Sequence, residues 1–258
     1  MKKTIKQIYA IITNLFRNGR RIIAIDGYPG TGKSTIATEI AKREKIININ
    51  SGKIYRAISY VQLKENVTDL ERLIKIVDEK LVYYIDEKNE LVCKFENSIL
   101  MDKVLYSKEV ASHTPVVAGE MIVRNYIEDK IRELVNSNEV IMEGRDICTK
   151  VLKDIATIKL FFTASLEIRA SRRYEQIKDT GISYEEVLES IKNRDETASE
   201  RENGKLIWTK GTMYIDTSNL EFEEMVDFIE DIINFNQITL RKKICIIRKL
   251  ISFWTTIF

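Results

Sequence analysis

A short apolar run, Ile22 to Asp26, opens directly into Gly27-Tyr28-Pro29-Gly30-Thr31-Gly32-Lys33-Ser34. No other stretch so narrows what the chain can fold into. The pattern G-x-x-x-x-G-K-[ST] belongs between a buried strand and a helix. Its glycines let the backbone curl so that successive N–H groups point inward at a phosphate. The helix that begins near Lys33 adds the positive end of its dipole. Lys33 reaches the outer phosphates of a bound nucleotide, and the Ser34 hydroxyl suits Mg²⁺.

Strands and helices alternate along most of the chain. Ile22–Asp26, Ile46–Ile49, Glu139–Met142, Ile158–Phe162 and Met213–Asp216 read as short strands. Helices are predicted over Lys33–Arg43, Gly52–Lys64, Asp69–Glu79, Val116–Asn136, Leu166–Lys178, Tyr184–Arg201 and Phe222–Asn234. This order implies an α/β fold, a mostly parallel sheet flanked by helices on both faces. Leu81–Asp86 and Glu90–Phe95, around Asp86-Glu87-Lys88-Asn89, read as a hairpin. That hairpin interrupts the alternation and marks a small inserted β-containing subdomain, over about residues 66–115.

The 258 residues carry only 10 Gly and 2 Pro, against a loop-rich sandwich or a Pro-rich disordered chain. A single histidine, His113, excludes multi-histidine metal chemistry. Three scattered cysteines, Cys93, Cys148 and Cys245, form no disulfide framework and point to a reducing, cytoplasmic setting. The net charge of +2 is unevenly spread: residues 1–21 carry +6, residues 237–258 carry +5, and the body between them carries −9. An acidic body does not suit a nucleic-acid binder. Residues 4–17 and Ile238–Phe258 both read as basic amphipathic helices. Neither shows the roughly 18 unbroken apolar residues that a membrane span needs. No small-residue cleavage site marks a signal peptide. The C-terminal extension, 237–258, is expected either to dock on the body or to meet a partner or a membrane surface.

Among proteins with such a phosphate loop, a GTPase would show an N-K-x-D element on a late strand, and none is present. Arginines beside helices are abundant instead. They fit phosphoryl transfer between two bound phosphates, which depends on positioning and cation clamps.

Asn50-Ser51-Gly52-Lys53-Ile54-Tyr55-Arg56 follows the second strand, and Glu143-Gly144-Arg145-Asp146 follows Val140–Met142. Both lie at strand C-terminal ends, where open α/β sheets place ligands. Arg194-Asp195 and Arg201 sit one to two turns apart on a helix. With these motifs, residues 21–235 resemble the cytidylate kinases, the bacterial (d)CMP kinases. That family reads D-S-G-x-x-Y-R, then D-G-R-D-x-G-T, then R-D-x-x-D-x-x-R. Ala164 to Arg173 is similar to its lid entry.

The resemblance implies a P-loop NTPase fold, with a kinase domain over 21–236 between the N-terminal helix of 1–20 and the extension. It implies an acceptor-binding insertion and a helical lid over about 165–205. ATP and Mg²⁺ are the implied cofactors, a nucleoside monophosphate the substrate, and a monomer the expected form. Gly27, Tyr28, Pro29, Gly30, Thr31, Gly32, Lys33, Ser34 and Thr35 would hold the ATP phosphates. Ser34 and Glu143 would serve the metal. Ser51, Arg56, Arg145 and Arg201 would clamp the acceptor phosphate, Arg124 and Asp146 would meet the base, and Arg194 the ribose side. Arg169, Arg172 and Arg173 would line the lid and neutralise the transferring group. Lys33, Arg145, Asp146, Arg172 and Arg201 form the implied catalytic set.

The chain departs from the family pattern at several places. Asn50 and Glu143 stand where the family has Asp, and Cys148 replaces a Gly. Ala198 falls where the family has a ribose-binding Asp, and Pro115 where it has a base-contacting Ser. A shift of register would offer Ser112 or Thr114 for that role. The expected activity is phosphorylation of CMP or dCMP with altered acceptor choice. Two alternatives stay open: a kinase for another small acceptor, and a nucleotide-binding regulatory protein without transfer.

Overall fold

The computed structural model describes residues 20–200, 206–209, 211–235 and 239–255. The basic helix expected over 4–17 and the expected phosphate clamp Arg201 lie outside these. Strand β1, Ile22–Gly27, is buried along its whole length. It runs between β6, Val140–Gly144, and β7, Ile158–Thr163, parallel to both. β2, Ile47–Asn50, pairs with the far side of β6, and β8, Met213–Asp216, with the far side of β7. The sheet order is therefore β2-β6-β1-β7-β8, all parallel.

Both faces are covered, which explains why the strands read as continuous apolar runs. Ile22 and Ala24 of β1 enter one core, and Ile23 and Ile25 the other, as strand alternation requires. The first core is closed by α2 (Ser51–Lys64), α3 (Leu70–Lys80) and α6 (Met121–Val135). The second is closed by α1 (Lys33–Glu44) and α9 (Phe222–Ile233). The expected hairpin is present as β3 (Leu81–Ile85) and β4 (Leu91–Phe95), antiparallel in register Leu81↔Phe95. A short β5, Ser98–Ile99, extends it to a three-stranded sheet. Leu81, Leu91, Cys93 and Phe95 pack into the first core, so the inserted sheet shares the main domain's interior.

The single helix expected over Val116–Asn136 is two helices. After α4, Asp102–Leu105, α5 covers Lys108–Val117 and ends before α6 begins at Met121. Ser107 starts α5 by accepting the Val110 N–H at 3.4 Å. Pro115 sits inside its last turn. Ala118 and Gly119 close the helix on Thr114 and Val116 carbonyls, and Glu120 is extended, which redirects the chain. The expected start at Val116 thus falls where the structure has the end of α5.

The lid region holds α7, Leu166–Ile177, and α8, Tyr184–Glu200, packed through Ala170, Val187 and Ile191. The extension forms α10, Leu240–Thr255. Ile246 and Leu250, four residues apart, are buried in the second core with Phe228 and Phe235. Lys249 lies over the Phe228 ring at 4.7 Å, and Lys242 meets Asp231 at 3.1 Å. Of the alternatives for the extension, docking on the body is the one seen. No helix among the described residues is long and apolar enough to cross a membrane.

Candidate functional site

The parallel sheet brings the ends Gly27, Asn50, Gly144, Thr163 and Asp216 to one edge. Buried polar side chains gather beside this edge: Asp26, Thr31, Ser51, Arg124, Glu143, Asp146, Arg169 and Thr217. Such burial needs partners, so the cluster is more telling than any apolar residue.

The phosphate loop is built by close approach. Gly27 has φ +149, and a Cβ there would lie 2.1 Å from the Phe162 carbonyl oxygen. Gly30, at φ +80, lies against the backbone of Arg169. Thr31 Oγ1 donates to the Tyr28 carbonyl at 2.8 Å and knits the loop to itself. α1 has a left-handed Gly32 at its N-cap and no side-chain cap. Its first-turn N–H groups therefore remain free for an anion. Lys33 Nζ donates to the Tyr28 carbonyl at 2.7 Å, across the mouth of the loop. Burial lowers the Lys33 ammonium to about 8, with Glu143 and Asp26 holding it up and Arg145 and Arg194 pressing it down. A bound polyphosphate would favour the charged form.

Ser34 Oγ donates to Glu143 Oε1 at 2.9 Å. A hydroxyl and a carboxylate oxygen are hard donors and fit Mg²⁺. Ser51 Oγ donates to the Glu143 carbonyl at 3.0 Å, so the start of α2 is tied to the same strand end. Asn50 caps α2 by accepting the Lys53 N–H at 3.1 Å, a task that Asn performs as well as Asp.

Past Gly144, the chain enters a π-helical turn over Ile147–Val151 that the sequence pattern did not reveal. Asp26 holds it: Oδ1 accepts the Ile147 N–H at 2.8 Å and Oδ2 the Cys148 N–H at 2.9 Å. Burial pushes the Asp26 carboxyl up to about 7, and those two N–H groups oppose the shift. Asp26 was not among the expected site residues. Its signal was a carboxylate closing an otherwise apolar strand. Cys148, in the family's Gly position, is buried against the sheet with Sγ 3.4 Å from the Ala24 carbonyl. Burial drives its thiol well above the ordinary range.

Arg124 and Asp146 form a buried ion pair, with Arg124 also donating to the Ala118 carbonyl at 2.9 Å. Arg124 lies 5.9 Å from the Tyr55 ring, and its Nε is buried with no hydrogen-bond partner among the described residues. Arg56 stacks over Tyr106 at 4.5 Å. Arg145 is half-buried and Arg194 exposed, and both act on Lys33 through their charge. The phosphate loop, Glu143, Arg145 and Arg194 therefore form one electrostatic neighbourhood.

The lid arginines are differently employed. Arg172 Nη2 donates to the Thr217 carbonyl at 2.7 Å and Nη1 to Thr217 Oγ1 at 3.1 Å. Arg173 is exposed and bonded to Gln176 at 3.1 Å. Arg169 is buried, with bonds to Ala164, Pro29 and Asp195. Pro115 is exposed in α5. The hydroxyls proposed in its stead are donated within the helix, Ser112 to the Glu109 carbonyl and Thr114 to the Val110 carbonyl. The backbone of Ala198 lies on α8.

A family model described as Cytidylate kinase matches residues 23–235. A cytidylate kinase of Caldanaerobacter subterraneus is 39% identical over 218 residues, covering 83% of this chain and 95% of that protein. The cytidylate kinase of Bacillus subtilis is 36% identical over 211 residues, covering 80% and 93%. Among solved structures, an uncharacterized protein of Eubacterium ventriosum matches with a TM-score of 0.50 at 14% identity, covering 83% of this chain and 99% of that one. At that identity the likeness shows the fold alone.

Proposed function

Because the chain belongs to the cytidylate kinase family, we propose that it transfers the terminal phosphoryl group of ATP to the 5′-phosphate of CMP or dCMP. The observation that carries this reading is one connection. Glu143 bonds the phosphate-loop serine, and three residues later Asp146 pairs with the buried Arg124. One strand end thus joins the donor side of the site to the acceptor side.

The loop N–H groups and Lys33 hold the outer phosphates of ATP in line with the acceptor. Ser34 and Glu143 would hold Mg²⁺, which would supply neutralising charge to the phosphates. Ser51, Arg56 and Arg145 grip the acceptor phosphate, a role that the family resemblance also implies for Arg201. Arg124 and Asp146 offer N–H and carboxylate groups to the Watson–Crick edge of cytosine. Arg194 covers the ribose side, and Arg172 enters when the lid closes and releases it from Thr217. None of these groups needs to act as a strong base, since positioned charge is the main catalytic device in such transfers.

Acceptor choice is broader than in a strict cytidylate kinase, because Pro115 has no hydroxyl and Ala198 no carboxylate for the nucleoside. A coupled ADP-release assay across CMP, dCMP, UMP, AMP and GMP tests both statements. Turnover fastest with CMP or dCMP, with measurable turnover of UMP, is expected. No turnover with any acceptor overturns the assignment.

A further inference from the structure

Arg169 is the most heavily engaged buried cation beside the site. It stands in the first turn of α7 and is only 5% exposed. Nε donates to the Ala164 carbonyl at 3.0 Å, Nη1 to the Pro29 carbonyl at 3.3 Å, and Nη2 to Asp195 Oδ2 at 2.7 Å. Its guanidinium also lies 5.1 Å from the centre of the Tyr28 ring. The phosphate loop closes on it from the other side, since a Cβ at Gly30 would come within 2.9 Å of the Arg169 Cβ and carbonyl oxygen. Three chain segments therefore meet on one planar group: the loop, the β7–α7 turn and α8.

This geometry does not suit a phosphate ligand. The fork is spent on two carbonyls and a carboxylate, and Asp195 neutralises the charge. Asp195 in turn depends on Arg169, because its Oδ1 is buried with no hydrogen-bond partner among the described residues. The next residue back, Arg194, is exposed and acts on Lys33 through its charge. Successive helical side chains point about 100° apart, so holding Asp195 inward fixes where Arg194 stands.

We propose that Arg169 is a positioning residue, a clasp that holds the phosphate loop against α8 and thereby couples ATP binding to the acceptor side of the site. The coupling rests on the kinase reading above, whereas the clasp itself rests on the bonds just described. ATP seated in the loop fixes Pro29 and Tyr28, and through Arg169 it fixes the helix that presents Arg194.

The test compares Arg169→Met, Asp195→Asn and the double variant, each assayed well below its melting midpoint. kcat/KM is measured for ATP at saturating CMP and for CMP at saturating ATP. A clasp predicts that each single variant loses about 100-fold in both values, as for a displaced catalytic constellation. The double variant should lose no more than either single one, since both remove one interaction. Near-wild-type Asp195→Asn, with the whole loss in Arg169→Met, would mark Arg169 as a phosphate ligand and overturn the proposal. Should Arg169→Met fail to fold, Arg169→Lys keeps the Asp195 pair but not the fork to Pro29 and Ala164. A loss of about tenfold is expected from it, and full activity overturns the clasp. ADP binding by titration calorimetry reads the clasp without any acceptor. Asp195→Asn, on a helix apart from the loop, should weaken ADP about tenfold. Unchanged ADP affinity counts against the clasp, whereas absent turnover by the unaltered protein counts only against the kinase reading.

Discussion

Lys33 and Asp26 stand at the two ends of the same strand-to-loop connection and carry opposite burdens. On the kinase reading Lys33 meets the phosphates of ATP, so Lys33→Ala should abolish transfer, read as ADP release at saturating substrates. Cys148, though it lies in the turn after Asp146, faces the sheet, and Cys148→Ala should leave kcat within about twofold. Asp26 binds a proton in the folded state that the unfolded chain lacks, because burial raises its carboxyl from 3.8 to about 7. Its contribution to stability is full at acid pH, below its ordinary value, and is lost as pH rises through about 7. Urea unfolding at about pH 5 and about pH 8 should show this decline in the wild type and not in Asp26→Asn. A decline of equal size in both would show that another group titrates.

At the scale of elements, the C-terminal helix shows what periodicity can and cannot say. Ile246 and Leu250 repeat at the spacing of one buried face, and that much was legible. What the face lies against was not, since a basic amphipathic pattern serves a protein core and a lipid surface alike. Docking on α9 makes α10 part of the core. Leu250→Ala should therefore cost about 3 kcal/mol in denaturant unfolding, by loss of buried area and cavity formation. Ile244, 44% exposed on the other side of the helix, should tolerate Ala within about 0.5 kcal/mol. Equal costs at the two positions would contradict the docked geometry. The split between α5 and α6 was hidden for a local reason. Pro115 marks a helix boundary in sequence, yet it stands inside the last turn of α5, where it forgoes the one bond to the Ala111 carbonyl and the helix ends two residues later.

At the scale of the molecule, the proposed acceptor side is assembled from residues 51–56, 124, 143–146 and 194. The order β2-β6-β1-β7-β8 is what unites them, because it puts β6 and its Glu143 between the phosphate loop and α2. Restoring nucleoside-reading groups with Ala198→Asp and Pro115→Ser should narrow the acceptor range. The expected outcome is a rise of about tenfold in kcat/KM for CMP relative to UMP. An unchanged ratio would mean that Arg124 and Asp146 alone set the choice.

The phosphate loop, the strand–helix alternation and the motifs at the strand ends were legible in the amino-acid order alone. These are local facts, written in glycine spacing and in the period of apolar residues. The tertiary structure decided which charges meet. Arg169 and Arg172 lie three residues apart and read alike, yet one is locked between Pro29 and Asp195 and the other holds Thr217. Asp26 reads as the end of a strand, yet it anchors a turn more than a hundred residues away. A guanidinium or carboxylate carries its chemistry in its type, but its role comes from long-range partners and from the loss of water around it. Only the folded chain supplies those.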